Sequence, residues 1–191
     1  MNNRATVAGA TVAGLLAVTG LGMLLGGSAG AQTKPPLVPA GANGIAFPEN
    51  YAKGVLYSTL DRADNKQFRE LYVSPPEALD AAKKDEPLPR GTVLTLLQYR
   101  AELDEQGNPK KDANGRFIKA NLLAYAVMEK REGFGKDIPE SIRNGEWEYQ
   151  SFTAARAVNE KANLGGCFAC HKPLDKQDFV FSYDKLKAAT R

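Results

Sequence analysis

Two cysteines and one histidine occur in the whole 191-residue chain, and all three stand together as Cys167-Phe168-Ala169-Cys170-His171. C-x-x-C-H is the spacing of covalent haem attachment. Each cysteine sulfur can form a thioether to one vinyl group of a porphyrin, and the imidazole that follows can bind the iron from one side. The segment therefore points to one covalent haem c, held by Cys167, Cys170 and His171, with His171 as the metal ligand. Three other chemistries fit less well. A thioredoxin-type dithiol follows a strand in a βαβ unit, whereas Asn163-Leu164-Gly165-Gly166 precedes this pair and no β/α alternation leads to it. A structural zinc site normally takes four Cys or His ligands, and only three are present, within one turn. A plain disulfide leaves the adjacent His171 without a role.

The elements that must carry this segment begin after an apolar N-terminus. Arg4 precedes an apolar run from Ala8 to Leu25, and Ala29-Gly30-Ala31 closes it with small residues. This reads as a signal peptide over residues 1–31, cleaved after Ala31, with an uncleaved membrane anchor as the alternative. Export to the periplasm follows, and it suits c-type haem, which is joined outside the cytoplasm. Taking 31 residues from 191 leaves 160, enough for a single domain with one core. Of the 25 basic residues only Arg4 is lost, so against 22 acidic ones the net charge is +2. Near balance argues against a nucleic-acid partner. Lys110-Lys111 and the Lys172 and Lys176 pair beside the haem motif are slightly enriched in charge. They read as solvated surface, or as a docking patch for an acidic redox protein.

Residues 32–46 are rich in Pro, Gly and Ala and are expected to form a flexible leader, with the domain spanning 47–191. Tyr51, Val55 and Leu56 give residues 49–59 a weak helical spacing. Phe68 to Val73 alternates as a strand. Ser74-Pro75-Pro76-Glu77 is a capping-box pattern for a short helix ending near Lys84. Gly91 to Leu103 is the strongest strand, apolar on both faces at first. Gly107-Asn108-Pro109 and Asn114-Gly115 mark an extended hairpin loop before a second long strand, Phe117 to Met128. In that strand Ala120, Leu122, Ala124 and Ala126 are expected on one face, and Leu123, Tyr125 and Val127 on the other. Glu146 to Phe152 reads as a half-buried strand, Ala154 to Asn163 as a helix, and Asp184 to Ala189 as a C-terminal helix. The fold class is α+β and β-rich. An antiparallel sheet is flanked by short helices, and a C-terminal helix-turn binds the haem.

The ordered pieces Phe47-Pro48-x-x-Tyr51, Arg69-x-x-Tyr72-Val73, Gly91-Thr92-Val93, Gly145-x-Trp147, the C-x-x-C-H segment and Asp178-x-Val180-Phe181 resemble the cytochrome P-460 family, including the cytochromes c′-beta. The resemblance runs from about Phe47 to Phe181. It implies a β-rich domain with one covalent haem, a largely five-coordinate iron and a homodimer. It also implies distal-pocket positions. A pocket arginine of the family matches Arg69. The lysine that crosslinks to the porphyrin in hydroxylamine-oxidising members is replaced by Leu96, and their pocket carboxylate falls at Tyr125. Phe68 joins Leu96 and Tyr125 as a candidate lining residue.

With His171 spent and Met1 and Met23 removed with the signal peptide, Met128 is the remaining soft ligand. If Tyr125 faces the haem, alternation turns Met128 away, and a strand methionine is more often core filler. A lysine ligand would have to lose its proton on burial. The expectation is thus an open or water-occupied iron site that binds NO- or CO-type diatomics, with electron transfer to a redox partner protein as an additional role. Two alternatives stand beside it. One is a haem enzyme that oxidises hydroxylamine or reduces peroxide at a small nitrogen or oxygen substrate. The other is a six-coordinate electron carrier.

Overall fold

A computed structural model describes residues 34–191. The expected signal peptide and its cleavage site lie outside the described residues. Five strands follow one another: β1 (Val55–Arg62), β2 (Gln67–Ser74), β3 (Val93–Ala101), β4 (Lys119–Lys130) and β5 (Trp147–Thr153). They pair in sequence order, every pair antiparallel. Three short helices accompany them, α1 (Ala78–Lys83), α2 (Gly165–His171) and α3 (Tyr183–Ala188). The α+β, β-rich architecture is the one the sequence predicts.

Register sorts the residues onto two faces. Val73, Leu94, Met128 and Tyr149 are cross-strand partners in one row, and all four are buried. Helices α1, α2 and α3 pack over this row through Leu79, Phe168 and Leu186, forming the larger core. On the opposite face Leu97, Tyr125, Val127 and Phe152 pack beneath Ile45, Phe47 and Tyr51 in a second core. A sheet covered on both faces explains why β3 and β4 are apolar at successive positions.

Several expectations are corrected. Residues 55–59 are strand β1, and the helical spacing there reduces to a 3-10 turn at Tyr51–Lys53. Pairing with β2 overrides a weak periodicity built on three residues. Ala154–Asn163 forms no helix; Thr153 N–H donates to the Ala157 carbonyl and Val158 bridges back to Phe152. In α1 the expected Ser74 cap is absent, because Glu77 holds the cap position without a side-chain bond. Residues 34–46 are no loose leader: Ile45 is buried, and Val38 exchanges hydrogen bonds with Leu164 and Asn163. The register of β4 slips between Ala124 and Leu122, opposite Gln98 and Tyr99. Leu123 is the extra residue of this bulge, so Leu122 joins Tyr125's face instead of Ala124's.

Candidate functional site

Cys167, Cys170 and His171 stand at i, i+3 and i+4 of α2, which places them along one side of that helix. Seven residues do not hold a helix by themselves, and tertiary bonds fix this one at both ends. Asn163 Oδ1 accepts the N–H groups of Gly165 and Val38, both at 3.0 Å. The backbone of α2 passes so close to residue 36 that a Cβ on Gly165 would meet the Pro36 carbonyl oxygen at 1.8 Å. Asn144 Nδ2 donates to the Tyr149 hydroxyl at 2.8 Å and to the Phe168 carbonyl at 3.1 Å. The Phe168 ring meets Tyr149 edge-on at 4.8 Å. At the C-terminal end Lys172 Nζ donates to the carbonyls of Glu140 and Arg143. Lys172 is thus a structural tie, and of the two lysines beside the motif only Lys176 is exposed.

The two cysteines form no disulfide with each other. Cys170 is exposed and Cys167 half-buried, and burial pushes the Cys167 thiol up. The imidazole of His171 lies 4.9 Å from the Tyr149 ring and 4.9 Å from Phe181. Its Nδ1 is 2.6 Å from the Phe179 carbonyl oxygen. A carbonyl only accepts, so Nδ1 carries the proton and Nε2 presents its lone pair. Burial lowers the His171 pKa from its ordinary 6.5, and the Phe179 bond offsets only part of this. The ring is therefore neutral at neutral pH, with the far nitrogen oriented by a backbone acceptor, as is usual for metal-bound histidine.

The surroundings fit a porphyrin. Phe181, packed against His171, is 59% exposed, and Leu60 on the same sheet face is 44% exposed. Next to the buried row under the helices runs Leu71–Leu96–Ala126–Ser151, again cross-strand partners, all only half-buried. Two small side chains, Ala126 and Ser151, leave room above this row. An apolar strip left uncovered beside a histidine with a free Nε2 is the surface a haem would cover.

Leu96 lies on this face, in that half-buried row. Arg69 is on it too, opposite Gln98 and one row further out. The guanidinium donates to Gln67 Oε1 at 3.1 and 2.9 Å and, among the described residues, forms no salt bridge. The neighbouring acid Glu70 points to the other face and accepts hydrogen bonds from Lys119 and Tyr99. Burial, then repulsion from Arg62, lowers the Arg69 pKa, though the group stays charged at neutral pH. Tyr125 and Phe68 are on the face away from His171, which corrects their placement as lining residues. Tyr125 is buried at 4.8 Å from the Phe47 ring and pairs with Leu97; Phe68 lies under the Arg116 guanidinium. The β4 residue opposite Leu96 is Ala126. Met128 shares His171's side of the sheet, contrary to the alternation argument that hung on Tyr125, and is packed in the core between Leu94 and Tyr149.

Sequence reasoning missed Leu71, Ala126, Tyr149 and the Phe179 carbonyl. Leu71 was within reach, two residues from Arg69 on the same strand face. Nothing local marked Tyr149 or Phe179.

No curated protein sequence matches the chain. The family model described as Cytochrome P460 matches residues 48–182, which takes in every strand, all but the last turns of the C-terminal segment, and the C-x-x-C-H helix. The chain belongs to the cytochrome P460 family and is a haem-binding cytochrome.

Proposed function

We propose that this protein is an exported, monohaem c-type cytochrome whose iron keeps one face open for NO- or CO-type diatomics. Cys167 and Cys170 would form the thioethers and His171 Nε2 the axial bond. A bound haem supplies a redox-active iron with a vacant coordination position; this chain's residues orient one ligand and shape the space opposite.

The observation that carries the reading is the donor set of the described residues. His171 offers its lone pair on one side, while Leu71, Leu96 and Ala126 offer no group that binds iron. Met128 packs against Tyr149, the ring that also carries the imidazole, which favours the same side of the site for both. Apolar surroundings hold water weakly and admit neutral diatomics. Arg69, without a carboxylate partner, is the specific observation favouring a second reading. A fixed cation near the iron could stabilise negative charge developing on a bound nitrogen or oxygen species, so hydroxylamine oxidation or peroxide reduction remains the enzymatic alternative. Leu96 and Ala126 supply neither a crosslinking amine nor a proton carrier for it.

Absorption spectroscopy of the mature protein tests this. High-spin ferric haem, and a ferrous form that takes up CO without displacing a protein ligand, are expected. A low-spin spectrum with a sulfur-to-iron band overturns the open site, and steady hydroxylamine turnover ranks the enzyme first. Export, the redox partner and the homodimer belong to the same proposal. An N-terminus at Gln32 in secreted material and a doubled mass in light scattering are the matching results.

A further inference from the structure

We infer that the buried Asp178–Lys130 pair is the positioning device that sets the Phe179 carbonyl on His171 and so tunes the strength of the axial bond. The inference rests on His171 being the iron ligand.

The Phe179 carbonyl does not sit in regular structure. Asp178 has φ 51° and Phe179 φ 61°, two successive side-chain-bearing residues in the left-handed region. Such backbone persists only where its surroundings over-determine it. The surroundings here converge on one carboxylate. Both Asp178 oxygens lie 2.9 Å from Lys130 Nζ, and Oδ2 also accepts the Leu88 N–H at 2.8 Å. The two side chains are only 10 and 11% exposed. Lys130 is the last residue of β4, and its ammonium lies 5.4 Å from the Trp147 ring centre. The carboxylate thus ties the loop that follows the haem-motif helix to the sheet and to the α1–β3 connection. Phe179 N–H closes the loop from the other side on the Leu174 carbonyl at 2.8 Å.

A bond from the far ring nitrogen fixes an imidazole's orientation and raises its basicity toward metal. At 2.6 Å the Nδ1–H···O contact is short for its type. Loosening the loop lengthens it, weakens donation from Nε2 and favours ferrous over ferric iron. Breaking a buried pair by removing one partner also costs stability, so stability alone cannot identify this role.

The test compares haem-loaded wild type with Asp178→Asn, Lys130→Met and the double variant Asp178→Asn/Lys130→Gln, which leaves no uncompensated buried charge. Glu70→Gln serves as control, because it breaks another ion pair, one with a buried carboxylate, on the opposite face. Ferrous iron–histidine stretching is read by resonance Raman, alongside midpoint potential and Tm. The expected result is a lower stretching frequency and a higher potential in every Asp178 and Lys130 variant that folds, with Glu70→Gln matching wild type in both. Variants that lose Tm yet keep wild-type frequency and potential overturn the inference alone, leaving the haem assignment intact. A wild-type protein without an iron–histidine band overturns both.

Discussion

The imidazole of His171 is neutral and carries its proton on Nδ1, because burial disfavours the cation and the Phe179 carbonyl can only accept. What it faces depends on single side chains across the sheet. Ala126 opposes Leu96, and its small size leaves room where a larger group would intrude. Ala126→Leu adds volume to that space, and overpacking of this kind costs about 1–3 kcal/mol. CO affinity of the ferrous protein is expected to fall about ten- to hundredfold. Tyr125→Phe, on the opposite face, is expected to leave CO affinity unchanged. Equal effects of the two substitutions, measured by CO titration, would place the site on the wrong face.

At the scale of elements, α2 is too short to persist without its anchors, so haem-motif geometry is a tertiary property. Gly165→Ala drives a methyl into the Pro36 carbonyl, and backbone must move to relieve it. A loss of about 1–3 kcal/mol, seen as a lower Tm, is expected. Asn144→Ala removes two hydrogen bonds that join α2 to β5 and leaves the Phe168 carbonyl without that donor. About 1–3 kcal/mol is expected here too. A more exposed Phe168, detected by faster amide exchange through α2, would accompany it. Unchanged exchange would show that the helix is held by Tyr149 packing alone.

Across the whole molecule, the long β3–β4 connection is pinned back to β1 through Asp61. Burial opposes ionisation of its carboxyl, but hydrogen bonds from Arg116 and the Phe117 N–H, with the Arg116 charge, bring the pKa below 3.8. A folded-state pKa below the unfolded one means that the unfolded chain binds more protons in the interval between them. Stability from this contact is therefore complete above pH about 4 and is lost as pH falls through the folded value. Asp61→Asn should lower stability at pH 7 and flatten the decline below pH 4 in denaturant titrations. A variant whose acid limb parallels wild type would assign the acid sensitivity to other carboxylates.

The C-x-x-C-H segment, the long strands β3 and β4, and the terminal helix were legible in the chain because each is written in local spacing. Alternation also divided β4 correctly near its C-terminal end, putting Ala124 with Ala126 and Tyr125 with Val127. It could not say which face meets the haem-motif helix, since both faces of this sheet bury an apolar cluster. Nor could it register the bulge at Leu123, where one inserted residue moves Leu122 across the sheet. Strand β1 and the non-helical stretch after β5 were misread for a related reason: pairing with distant partners outweighed a weak local period. The sequence by itself determined which atoms can hold a haem. Only the tertiary structure decided which carbonyl orients the imidazole and which side chains share its face, because the loop carrying that carbonyl is tied through Asp178 to Lys130, 48 positions away, and the face is assembled by strand pairing.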